Sequence, residues 1–488
     1  MKQWAIILTL ATMAGHLTQA EVSTGKTDVG LMKTNEMALA QAPTLRYGAD
    51  ERVRQEYFDH VPNKTAIPEY ARGGENNYFR FRTRLWMEQD LSQDILFKAR
   101  TVNECRSWVY PDVSERPQKS TSEWPDEWVF DNLYLDARNL LDNSLDLRIG
   151  RQELMYGDGL VVLEGTPGDG SRTLYFNAIK ATWKAIPKTE VDVFGIYNES
   201  EDELAINSAE RDLSAYPQSL DGVTESGGGL YLKSKYLPAL PYESYMIYKR
   251  EGSWNQNATK NPDGTYKPPA QSWQTLDADR GVIENAQVDI GTFGFRLMPV
   301  LSESIKGTLE AAGQLGQRED ADIQAFMANA TLAKTLNDSK SKPTLKAAIL
   351  CLSGDDPATK NDEGWNPIWA RYPQFSDLYV FALDQEESAA RWSNLIAPNI
   401  GFCSSPGKQW MSNISLYYLS SFEGDGAGNG KERGWLAKWR NDLTLKENWF
   451  IPKDKLAGHL QIEVLEPGDY YTQDDTSVFL RWEVSYAF

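Results

Sequence analysis

From about residue 45 onward, apolar and polar residues alternate along most of the chain. In the last segment Val478, Leu480, Trp482, Val484, Tyr486 and Phe488 fall on one face, while Arg481, Glu483 and Ser485 fall on the other. That is the period-two pattern of a strand with one apolar side. The pattern predicts eighteen strands, at 45–58, 77–89, 94–106, 127–139, 144–151, 172–186, 189–199, 226–237, 242–254, 285–299, 302–317, 321–335, 343–353, 388–403, 409–421, 434–446, 455–466 and 476–488.

The gaps between these segments are sorted by length. Long polar connections at 59–76, 107–126, 152–171, 200–225, 255–284 and 354–387 alternate with short ones at Asp90 to Gln93, Leu140 to Asn143, Pro187-Lys188 and Pro238 to Pro241. A transmembrane barrel sorts its loops this way, with tight periplasmic turns and long extracellular loops. The gap at Arg318 to Asp320 is short where a long one is due. Either one outer turn is tight or a pair of strands is misplaced. A soluble propeller or sandwich would use its aromatics as core, but each strand here has a single apolar face and no helical layer covers it. The fold class expected is therefore all-β: an antiparallel transmembrane β-barrel of 18 strands. Trp86, Trp183, Trp254, Trp435, Trp439, Trp449 and Tyr486 are candidates for its interfacial girdles.

Composition narrows the class further. The 488 residues carry a formal charge of −19 with no basic tail, which argues against a nucleic-acid partner. The 16 Trp, 23 Tyr and 17 Phe are far too many for a disordered chain. Only three histidines are present, so histidine-rich metal sites are not expected, and no cofactor is called for. Cys105, Cys351 and Cys403 are too few and too far apart for a disulfide framework.

Lys2, the apolar run Trp4 to Gly15 and Thr18-Gln19-Ala20 read as a secretory signal peptide over 1–20. Residues 21–44 then form an N-terminal periplasmic segment and 45–488 the barrel. No later run of 18 apolar residues predicts a transmembrane helix.

The sharpest chemistry is a basic ladder. Arg80, Arg82 and Arg84 share one face of their strand while Phe79, Phe81 and Leu85 share the other. An arginine facing lipid at mid-depth costs about 2–4 kcal/mol, so the three face the lumen. Arg46, Arg52 and Arg54 on the preceding strand and Lys98 and Arg100 on the next continue a cationic wall suited to anions. Asp50, Glu56, Glu88 and Glu104 lie on the same faces, so the wall reads equally as a cross-strand ion-pair network. Asp355, Asp356 and Asp362, with Asn361 and Glu363, offer oxygens for calcium without EF-hand spacing; a solvated acidic loop is the blander reading. The glycine-rich stretch at 426–431 lacks phosphate-loop spacing and reads as a turn.

Leu147-Arg148-Ile149-Gly150-Arg151-Gln152-Glu153-Leu154, the late Pro467-Gly468-Asp469-Tyr470-Tyr471 and the terminal Phe488 resemble the alginate export porins of Gram-negative outer membranes. Ser353-Gly354-Asp355-Asp356 followed by Gly364-Trp365-Asn366-Pro367 resembles the broader alginate-export-domain group. The resemblance runs from about Leu45 to Phe488. It implies an outer-membrane barrel whose lumenal arginines conduct a linear polyuronate, with periplasmic export components as partners. By position it assigns a lumenal role to Arg151 and Arg82. On the strand before Pro467, where such an exporter would carry basic residues, this chain has His459 and Gln461.

These readings converge on a passive channel rather than an enzyme. It sits in outer-membrane lipid and passes anionic solutes, oligosaccharides or polysaccharide through weak, repeated contacts with Arg52, Arg54, Arg80, Arg82, Arg84, Lys98, Arg100 and Arg151. Two rivals share the barrel: a barrel-anchored enzyme acting on polysaccharide through loop carboxylates, and a surface adhesin or receptor.

Overall fold

The alternating segments close into a ring. The computed structural model describes residues 44–488 except 63–73, 113–121, 124–127, 164–174, 200–204, 207–223, 253, 258–273, 278–281, 286, 337–338, 371–372, 387–391 and 425–429. The expected signal peptide, and segment 21–44 apart from Thr44, lie outside the described residues.

The ring strands are β1 (Leu45–Asp59), β2 (Asn76–Asp90), β3 (Ile95–Tyr110), β4 (Trp128–Asn139), β5 (Leu145–Gln152) and β6 (Phe176–Trp183). There follow β7 (Thr189–Asn198), β8 (Glu225–Ser234), β9 (Tyr242–Glu251), β10 (Val288–Leu297), β11 (Ile305–Arg318) and β12 (Ala321–Thr335). The last six are β13 (Thr344–Leu352), β14 (Leu395–Gly407), β15 (Trp410–Ser420), β16 (Glu432–Glu447), β17 (Lys455–Pro467) and β18 (Ser477–Ala487). Each pairs antiparallel with its sequence neighbours. β18 returns to β1, placing Val484 opposite Val53 and Glu483 opposite Arg54. The two-residue ribbons Ser122–Glu123 and Ala205–Ile206 extend the sheet without entering the ring.

The short turns lie at one end, with Leu45 and Ala487, except the one between Arg318 and Ala321 at the long-loop end. The predicted irregularity is a tight hairpin, since Arg318 pairs directly with Ala321 across Glu319-Asp320 and no strand is misplaced.

Side chains follow the alternation with the polarity of a soluble protein reversed. Leu135, Ile149, Ile179, Val193, Met246, Phe293, Phe326, Ile400, Ile414, Trp439, Leu460 and Val484 are exposed on the outside. Arg52, Arg54, Glu56, Arg80, Glu104, Lys249, Gln314, Glu463 and Arg481 are buried inside. So much exposed apolar surface is a liability in water and a match for lipid. Among the described residues no helix is long and apolar enough to cross a membrane.

Two girdle assignments need correction. Trp254 lies beyond the barrel, on a small sheet of the β9–β10 connection formed by Trp254–Asn257, Gln274–Asp277 and Val282–Asn285. Trp86 shares the face of Arg80, Arg82 and Arg84, and its ring fills the space above Gly48, where a Cβ would come within 2.5 Å of it. Gly150 of the Gly-Arg-Gln stretch also has a structural reason. Its φ is +127°, and a Cβ there would meet the Leu133 carbonyl oxygen at 2.2 Å.

Candidate functional site

The lumen is not open along its length, because the 353–394 connection folds into it. On one side Gln314 donates to the Asn366 carbonyl at 2.6 Å and accepts from its N–H at 2.9 Å. Nearby, Lys249 donates to the Ile368 carbonyl at 2.7 Å, and Trp365 and Trp369 are fully buried. Further along, helix α1 (Asp377–Glu386) lies against β16–β18. Glu463 caps its start, accepting from the backbone N–H groups of Asp377 and Leu378, both at 3.1 Å, and from the Ser376 hydroxyl. Asp377 pairs with Arg481 at 3.0 Å, and the Tyr379 hydroxyl meets Tyr471 at 2.8 Å and Arg433 at 2.9 Å. Paired charges and the capped helix start offset the cost of this docking in a buried setting.

Near the tight β11–β12 turn, Asp362 accepts from Arg318 at 2.7 Å, and its backbone bonds to Asp322 and Gln324. Asp355 accepts from the Glu363 N–H and Asp356 from the Ala358 N–H. Burial pushes the Asp355 carboxyl up, with the Glu363 N–H acting the other way. The three calcium candidates thus serve different partners, and among the described residues no group of three carboxylate, histidine or cysteine side chains converges on a metal position.

The predicted basic wall is present, and it is heavily paired. Arg52 lies 3.1 Å from Glu104, and Arg54 lies 3.2 Å from Glu56. Arg80 bridges Glu56 at 3.2 Å and Glu104 at 2.5 Å, while Arg82 and Arg84 share Asp50 at 3.1 and 2.6 Å. Lys98 pairs with Glu88 at 3.1 Å, and Arg100 pairs with Asp131 at 2.8 Å and with Glu153. Arg151 donates to Asn177 and the Phe130 carbonyl and stacks on Tyr175. The wall is a cross-strand network; Arg46, at its turn-side end, pairs with Glu88 and Asp90 and is its most accessible arginine, followed by Arg84.

The open space lies beside this wall, along β12–β18. A cavity of about 480 Å³ is bounded by Lys346, Lys438, Arg440, Asn399, Phe375 and Trp392, among others. A second, of about 370 Å³, lies toward the short-turn end beside Arg440, His459, Lys408 and Lys455. Arg440 borders both and is the residue that joins them. Lys438 is committed to Glu463 at 3.2 Å and the Phe375 carbonyl at 3.1 Å. Lys346 has no hydrogen bond or ion pair among the described residues, leaving its charge free for a solute.

Sequence reasoning missed these residues, although the signal was there. Trp435 and Trp439 point outward, which puts Lys438 and Arg440 on the opposite face of β16. The basic residues sought beside Pro467 stand one strand over.

No protein-family model and no curated protein matches the chain. Solved structures do. A BenF-like porin from Pseudomonas fluorescens Pf-5 superposes with a TM-score of 0.54 at 9% identity, over 91% of this chain and 98% of that one. The outer membrane protein opdK of Pseudomonas aeruginosa gives 0.53 at 8% identity, over 91% and 98%. OccK2 (OpdF) of the same organism, in complex with glucuronate, gives 0.51 at 9% identity, again over 91% and 98%. The fold is that of an outer-membrane porin. The likeness reaches the 18-stranded barrel and stops short of the alginate export family that Gly150-Arg151-Gln152 suggested.

Proposed function

We propose that the chain is a channel in a Gram-negative outer membrane, selective for small anionic solutes of the carboxylate class, such as a uronate. The observation that carries this reading is the cavity in which unpaired Lys346 faces the same space as Arg440. In a low-dielectric constriction one uncompensated cation outweighs many screened surface carboxylates, so the overall charge of −19 does not set ion preference. Contacts from side chains already engaged elsewhere stay weak, as passage requires.

The glucuronate bound to OccK2 supports a uronate as the probe of choice. A cavity of about 480 Å³ suits a small ligand. The resemblance to alginate exporters favours a polymer instead, which would have to pass α1 and Arg440 in sequence. The loop carboxylates Asp355, Asp356 and Asp362 each serve a separate partner, which favours a channel over a barrel enzyme.

Reconstitution in a planar bilayer tests the proposal. A salt gradient is expected to give a reversal potential of anion preference, and glucuronate is expected to block the current. Cation preference with no block would overturn it. On whole cells, an epitope inserted within 255–284 is expected to bind antibody, whereas one at Asp90 to Gln93 is not.

A further inference from the structure

The turn-side cavity has chemistry of its own. Arg440 places Nη2 3.3 Å from His459 Nδ1. A guanidinium only donates, so Nδ1 accepts, and the neutral imidazole then carries its proton on Nε2. That Nε2 is buried with no hydrogen-bond partner, in a residue 8% exposed that lines the cavity. Lys408 and Lys455 border the same cavity, and neither makes a hydrogen bond or ion pair among the described residues. The two carboxylates present are already engaged. Asp442 is held by Arg440 at 2.8 Å, and Glu483 lies 3.6 Å from Arg54, 3.7 Å from Arg52 and 3.6 Å from the Nδ1 edge of His459, on the far side of the ring from Nε2. Three donors therefore border a space of about 370 Å³, and none of them makes a hydrogen bond to the protein among the described residues.

We infer that this cavity is a second oxyanion station, where the His459 Nε2–H together with Lys408 and Lys455 takes a carboxylate passed on by Arg440. The inference rests on the reading of the lumen as an anion path. It adds that a carboxylate approaching from the turn side meets a different binding site from one arriving through the loops. His459 is then a specificity-determining residue, with Arg440 positioning it by fixing its tautomer.

The test is block of single reconstituted channels by sodium glucuronate added to each compartment in turn, with glucose as the uncharged control. For H459F, block from one compartment is expected to weaken about tenfold while block from the other is unchanged. H459Q, which restores an N–H at a similar reach, is expected to recover it. If H459F does not migrate as a heat-modifiable barrel, the exposed-end pair K408M/K455M serves instead, with the same one-sided loss expected. An anion-selective, glucuronate-blocked parent whose variants lose nothing on either side overturns the station and leaves the channel reading intact. A parent without anion preference overturns both. Block by glucose equal to that by glucuronate overturns the station, since the donors would then not be reading a carboxylate.

Discussion

Asp377, at the start of the inward helix, lies 3.0 Å from Arg481 on the last strand, and the same guanidinium holds Glu56 of the first strand at 2.6 Å. One arginine thus ties the helix that narrows the lumen to the seam that closes the ring.

Asp377→Ala should release that helix without opening the barrel, because Arg481 keeps Glu56. Removing one partner of a buried pair costs about 3 kcal/mol, here charged against docking of the 353–394 connection. Single-channel conductance is expected to rise and become noisier. An unchanged conductance trace would show that the tether does not hold the constriction.

Lys346→Glu reverses a charge that no carboxylate offsets among the described residues. Reversal potential is expected to move toward cations with the barrel intact. Arg82→Glu with Arg84→Glu should shift selectivity the same way, but it also sets two new carboxylates beside Asp50 and lowers heat resistance. Equal heat resistance of the two variants would count against the pairing described for the wall.

On the outer face, Val484 is exposed opposite Val53 at the seam. Val484→Arg near mid-depth should cost about 2–4 kcal/mol of membrane stability. Lower urea or heat resistance of the folded band on a gel is the expected readout, and unchanged resistance would place this face elsewhere than in lipid.

The β16–β17 turn carries a pH response. Burial pushes the Asp454 carboxyl up, but hydrogen bonds from the Phe450, Ile451 and Trp449 N–H groups and the Tyr486 hydroxyl outweigh it and hold the group at about 2. The opened turn has an ordinary carboxyl near 3.9, so it binds a proton first as pH falls. Stabilisation is full above about 4 and is lost as the pH falls through about 2. Amide exchange at Trp449–Ile451 should therefore accelerate in acid relative to exchange elsewhere in the barrel, and Asp454→Asn should remove that dependence.

Strand-level structure was legible because lipid and lumen impose opposite polarity on adjacent residues, so 189–199 and the last strand could be read directly. The tight turn at Glu319-Asp320 was legible as an alternative only, since spacing alone does not separate a short loop from a lost pair of strands. The inward helix was hidden. Its anchors lie far apart in the chain, as with Asp377 and Glu463, 86 residues apart, and no local period records such a meeting. The arginine wall was found and its pairing anticipated, but how little charge it leaves over depends on rotamers. Lys346 and Arg440 sit in plain alternation with outward residues, with no cluster such as Arg80, Arg82 and Arg84 to mark them.

Arg481 and Glu56 are 425 residues apart in sequence, yet they meet across the closing seam. Ring closure therefore cannot begin until the final strand has been made. A chain cut short before Ser477 would keep its hairpins but present two bare edges, each a template for another chain. The eleven residues of β18 act as a completion check on the seventeen strands made before them.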